Sequence, residues 1–174
     1  QVLAGTLATQ SLTTLCALAL SAVAPRAAAD LGIGPALMGY QVSVIYTGAV
    51  ITSLAGGGFV RRLGATRASQ LALWLTAAGC LLSSLGSLPA LGAGALVIGL
   101  GYGCTNPAAS HLLSRTRAST HMNLIFSIKQ CGVPVGGVLA GLLLPPVTLL
   151  WSWQAGLIVC ALMSMHSANW SIAA

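Results

Sequence analysis

Long apolar stretches alternate with short polar interruptions along the whole chain. A hydrocarbon core of about 30 Å needs about 20 apolar helical residues per crossing. Residues 2–23, 38–60, 68–85, 91–113, 124–144 and 147–165 form such stretches: five of full length and one close to it. They predict an all-α membrane protein with six transmembrane helices joined by short loops. Those six spans consume nearly all of residues 1–174, so a single transmembrane domain is expected, with no room for a soluble one. The first residue is Gln1 rather than Met, which suggests a fragment. The first apolar stretch is too long, and lacks the basic flank, for a cleavable signal peptide.

Composition strengthens that picture. A soluble domain keeps roughly a quarter of its residues charged. Here 5% are charged, 56% are hydrophobic, and Asp30 is the single acid. Such a chain cannot cover itself in water, so its first partner is a lipid bilayer.

The placement of charge predicts orientation. Arg61, Arg62 and Arg67 fall between spans two and three, and Arg115 and Arg117 between spans four and five. The loops after spans one, three and five hold only Arg26. Basic residues mark cytoplasmic loops, so both termini are expected in the cytoplasm, with a bacterial inner (plasma) membrane as the location. Trp151 and Trp153 open span six at the opposite face, where aromatic rings anchor. Six of the seven basic residues behind the net charge of +6 sit in these loops, which argues against nucleic acid as a partner. The five cysteines lie inside spans without metal or redox spacing, so no metal or cofactor is expected.

Small residues recur at spacings of four. Gly48, Thr52 and Gly56 form one stripe; Gly99 and Gly103 form another. Gly132, Gly136 and Ala140 form a third, with Gly137 and Gly141 beside it. Such stripes let helix backbones approach in lipid. Span three carries Leu and Trp74 and is expected to face lipid. Spans one, two, four and five are expected to surround a concavity.

Several segments carry a family resemblance. Residues 57–67 read Gly-Gly-Phe-Val-Arg-Arg-Leu-Gly-Ala-Thr-Arg. They resemble the Gly-x-Leu-x-Asp-Arg-x-Gly-Arg-Arg loop signature of the major facilitator superfamily. Gly57, Arg62 and Gly64 match and Phe59 is a near match, but Arg61 stands where the signature has Asp. Arg67 closes the motif. Residues 95–101 are similar to the family's Arg-x-x-x-Gly-x-Gly, with Ala95 in place of the Arg. Gly132, Pro134, Gly136 and Gly137 resemble a variant of its Gly-Pro-x-x-Gly-Gly helix-five motif. Trp151-Ser152-Trp153 resembles the Trp-Arg-Trp that opens helix six. The resemblance implies the amino-terminal six-helix half of a twelve-helix secondary transporter, with a carboxy-terminal half as its missing partner. Residues 126–134 also look like a cyanate-porter-like branch. The family's Asp implies a polar contact at the cytoplasmic gate, which Arg61, of opposite charge, cannot make.

The candidate pathway residues follow from cost. Lys129 is the one charge placed inside a span, and an intramembrane ionisable group is a functional candidate by default. Snorkelling to the cytoplasmic headgroups is the structural alternative. Gln130 follows it. Tyr102 and Asn106 are four apart and share a face. Gln41, Tyr46 and Thr13 are further candidates, although hydroxyls in membrane helices often bond their own backbone. Pro134 is expected to free a carbonyl and bend span five.

The leading reading is a secondary active transporter moving a small solute by alternating access. With Lys129 and no intramembrane carboxylate, anions, organic or inorganic, are favoured over cations. A non-transporting membrane fragment that assembles with other helices is the alternative. An intramembrane serine protease is a remote third: no Gly-x-Ser-x-Gly occurs, and His111, His121 and His166 all lie at span ends. An enzyme is therefore not expected. A single Asn-Pro-Ala at residues 106–108 does not make an aquaporin, which needs two.

Overall fold

The computed structural model describes residues 2–115 and 122–173. Seven helical segments run α1 (Val2–Leu31), α2 (Pro35–Leu63), α3 (Ala65–Ser83), α4 (Leu88–Arg115), α5 (Met122–Gln130), α6 (Gly132–Leu150) and α7 (Trp153–Ala173). Among the described residues there is no strand. Four helices are long and apolar enough to cross a membrane: Leu3–Leu31, Ala36–Leu63, Leu88–Ser110 and Asn123–Leu150. The last of these is α5 and α6 together. Arg117 and His121 lie outside the described residues.

The turns have local causes. Pro35 opens α2 at a position where its missing N–H costs nothing. Ser152 Oγ accepts from Ala155 N at 3.1 Å and caps α7. Gly64 alone joins α2 to α3, at φ +84°, while its N–H bonds Val60 O at 2.9 Å. The segment read as a loop signature is therefore mostly helix. Gly57, Arg61 and Arg62 belong to α2, Arg67 to the first turn of α3, and the reversal rests on one residue. All three arginines are exposed.

The seams are made by small residues. A Cβ on Gly48 would lie 2.8 Å from Leu96 O, and one on Gly99 or Gly103 would strike the backbone of Ile45 or Ala49. These contacts zip α2 to α4 in parallel. Gly132 and Gly136 lie against Gln10, Ser11 and Thr14 and zip α6 to α1 in the same way. Of the second stripe, a Cβ on Gly137 would meet Leu18 at 3.4 Å and one on Gly141 nothing within 4 Å, so only its Gly141 end faces outward. Helix α1 touches every other segment and is the hub.

Two expectations need correcting. Helix α3 does not stand loosely in lipid. Ala68, Ser69, Ala72, Thr76, Gly79, Cys80 and Ser83 give it a continuous buried small-residue face against α4 and α7. Gly79 meets Gly94 and Ile98 there. Trp74 points outward while Leu73 is fully buried with the small residues, and bulk dominated the sequence reading. The boundary between the last two spans also moves. Pro145 and Pro146 lie inside α6, where fixed φ suits a helix and a membrane helix tolerates freed carbonyls. The chain turns at Trp151 instead. Trp151 is 73% exposed, but Trp153 is fully buried in the core, so only one of the two rings can anchor at an interface.

Cys16, Cys80 and Cys160 pack in the core where α1, α3 and α7 meet, with Cys16 Sγ 3.1 Å from Ser164 Oγ. All five cysteines are free, and only Cys131 is exposed.

Candidate functional site

Pro134 sets up the site. It has no N–H to return to Gln130 O, so the hydrogen-bond ladder is interrupted around Cys131, which keeps helical dihedrals and whose own N–H still reaches Ser127 O at 3.1 Å. That break in the ladder divides α5 from α6 directly after Lys129 and Gln130. Lys129 is thus held at the end of a short helix, beside the tight Gly132–Gln10 contact, and is only 3% exposed.

Its ammonium turns to α4. Lys129 Nζ donates to Asn106 Oδ1 at 2.6 Å and to Gln130 Oε1 at 3.4 Å. Three sequence candidates from two spans therefore meet. Asn106 and Gln130 are themselves exposed beside the buried charge. The chain's single acid, Asp30, lies on α1 about 20 positions beyond Gln10, roughly 30 Å at 1.5 Å per residue. The ammonium thus has neutral amide partners and no carboxylate.

One helical turn further along the same faces lies a small cavity of about 50 Å³. Tyr102 precedes Asn106 by four positions and Val133 follows Lys129 by four, and both line it. Thr14, Ser21, Val42, Ile45 and Tyr46 complete much of the wall. Tyr46 and Tyr102 meet edge to face, with ring centroids 6.4 Å apart and an interplanar angle of 90°. Helices α1, α2, α4 and α6 all contribute, as a concavity between spans one, two, four and five requires.

Other candidates go elsewhere. Thr13 is fully buried, and its hydroxyl bonds Thr9 O at 2.9 Å and Gln10 O at 3.2 Å, so it serves its own backbone. Gln41 is buried with Oε1 unpartnered, and it is not among the cavity's lining residues. Sequence reasoning left out Gln10. Its buried Oε1, like Thr14 Oγ1, has no hydrogen-bond partner. The two are four apart on the face of α1 that meets the Gly132–Gly136 stripe, a spacing visible in the sequence.

Comparison with known proteins agrees with this architecture. The chain is 29% identical over 138 residues to plastidic glucose transporter 4 of Arabidopsis thaliana. The alignment covers 76% of the chain and 25% of the relative, so the chain spans about a quarter of that relative's length. The sequence pattern of the Major Facilitator Superfamily matches residues 6–170. The four apolar helices, together with that match, make the chain an integral membrane protein. The chain belongs to that superfamily.

Proposed function

We propose that the chain is the amino-terminal six-helix half of a secondary transporter, which moves a small anionic solute by alternating access. The observation that carries this reading is Lys129, buried within a span of a bundle from this superfamily and paired only with amides. An ammonium near a bilayer centre is unfavourable by roughly 2.5–3.5 kcal/mol on insertion scales. Lys129 is off-centre, so its own penalty is smaller, but a neutral residue would still fill the helix at less cost. The relative's name raises a sugar as the other solute class.

The remaining half is the expected partner. The most apolar stretches of α2 and of α5–α6 are only 22% buried, against 56% for α1 and α4. Leu54 at 84% and Leu142 at 67% exposure lie on the open surfaces. Pairing with a second six-helix half would cover part of those faces and place the Tyr46–Tyr102 cavity between the halves, where substrates bind in such folds. The basic residues at the α2–α3 junction support a cytoplasmic position for that end and for both termini.

Uptake of radiolabelled small anions by vesicles carrying the intact protein tests this. Lys129→Arg should retain part of the uptake, and Lys129→Ala should lose it at equal membrane expression. Full uptake by Lys129→Ala would mean that the ammonium serves only to reach headgroups.

A further inference from the structure

Building on the transport reading, we propose that Asn106 and Gln130 form the face that touches the solute, and that this face is built for a carboxylate or similar oxyanion. Lys129 supplies the charge from behind.

The argument starts from hydrogen-bond inventory. An ammonium has three donors and no acceptor. The amide atoms that meet Lys129 Nζ at 2.6 and 3.4 Å must therefore be the oxygens of Asn106 and Gln130. Each amide then carries its NH2 group away from the ammonium. Among the described residues neither amide nitrogen has a hydrogen-bond partner, and both side chains are exposed while Lys129 is buried. What the site presents is chiefly donors, four N–H groups with a positive charge one hydrogen bond behind, while each amide oxygen keeps a second lone pair. That charge polarises both amides and strengthens their N–H groups as donors.

Ligand chemistry follows from that inventory. A sugar hydroxyl accepts from such donors but, being neutral, leaves the ammonium without counter-charge. A cation would meet like charge. A carboxylate is acceptor-only and fits both the donors and the sign. No side chain of this chain supplies the counter-charge, because Asp30 lies near the far end of α1. The face stands one helical turn from Tyr102 and its cavity of about 50 Å³, which Lys129, Asn106 and Gln130 do not line.

A lipid phosphate offers the same acceptors, so the test separates the two sources. The intact protein is placed in phosphatidylcholine nanodiscs, and its thermal midpoint is followed by tryptophan fluorescence. Sodium acetate, glucose and sodium chloride are compared at matched ionic strength. Acetate should raise the midpoint saturably, and glucose and chloride should not. Asn106→Asp should fold, because its carboxylate ion-pairs with Lys129, yet lose the acetate response. Gln130→Ala should need at least tenfold more acetate, and Lys129→Arg should keep the response. A full acetate response in Asn106→Asp, or unchanged acetate affinity in Gln130→Ala, would overturn the proposal. So would a response to glucose in place of acetate, or stabilisation only on exchanging phosphatidylcholine for phosphatidylglycerol. Acetate binding without uptake of any anion would instead sink the transport reading alone.

Discussion

Lys129 Nζ and Asn106 Oδ1 lie 2.6 Å apart across α5 and α4, although 23 positions separate them in the chain. The contact fixes where the break at Cys131 points its one buried charge. It also makes a stability prediction. Asn106→Leu leaves the ammonium short of its nearest acceptor. Leaving a buried polar group unpaired costs roughly 1–3 kcal/mol, and more when it is charged. Lys129→Met in the same background removes the need, so the double variant should recover most of the loss. Unfolding in mixed micelles measures all three; simple additivity of the two single losses would show that the contact carries no coupling.

Gly57 and Gly64 both belong to the family's motif, but for different reasons. Gly64 sits at φ +84° and ψ 151°, a region essentially reserved to glycine, where an L side chain is strained by roughly 1–3 kcal/mol. Gly57 is mid-helix with nothing within 4 Å of a would-be Cβ. Gly64→Ala should lower stability by about that amount. Gly57→Ala should be neutral, or stabilising by roughly 0.5–1 kcal/mol. Equal effects would mean that the reversal between α2 and α3 does not depend on the positive φ.

Gly136 and Gly141 divide the two stripes of α6 in the same way. A Cβ at Gly136 strikes Ser11 O and Thr14, while one at Gly141 meets nothing. Gly136→Ala should destabilise by roughly 1–3 kcal/mol, as overpacking does. Gly141→Ala should not. A harmless Gly136→Ala would mean that α1 and α6 can separate freely.

Much of this was legible in the sequence, because membrane helices advertise themselves by length and composition. The stripes of α2, α4 and α6 follow from spacing within one helix. So does the shared face of Tyr102 and Asn106. What spacing cannot give is which face meets which helix. The small-residue face of α3 was hidden because Ala68, Ala72 and Thr76 read as ordinary apolar filling beside Trp74. Pro145 and Pro146 read as a boundary because the proline rule comes from soluble helices. The meeting of Lys129 with Asn106 is a relation between spans, and one sequence has no term for it. Thr13 shows the converse: polar and in a central span, it bonds its own backbone.

Orientation rests on the basic end of the bundle. Thr66 follows Gly64 at the start of α3 and is exposed beside Arg67. With Cys131 replaced by Ser, Thr66→Cys should escape an impermeant thiol reagent added outside intact cells and react once the membrane is permeabilised. Labelling in intact cells would invert the topology, and with it the side from which Lys129 is approached.

The break at Cys131 makes the last prediction. Pro134 withholds one N–H from Gln130 O, which interrupts the hydrogen-bond ladder between α5 and α6 while Cys131 keeps helical dihedrals. Pro134→Ala supplies that N–H. Because proline costs roughly 3 kcal/mol in a helix interior, the variant should gain stability, by less than that figure since the bundle has already adapted. Completing the ladder would also shift Lys129 and Gln130 relative to Gly132, which Gln10 holds in place. The ammonium would then lose its aim at Asn106. The expected signature is a higher unfolding midpoint together with a weaker acetate response. Higher stability with an unchanged response would show that the break serves movement of the helix but does not position Lys129. Lower stability would show that the freed carbonyl of Gln130 has a native role that straightening removes.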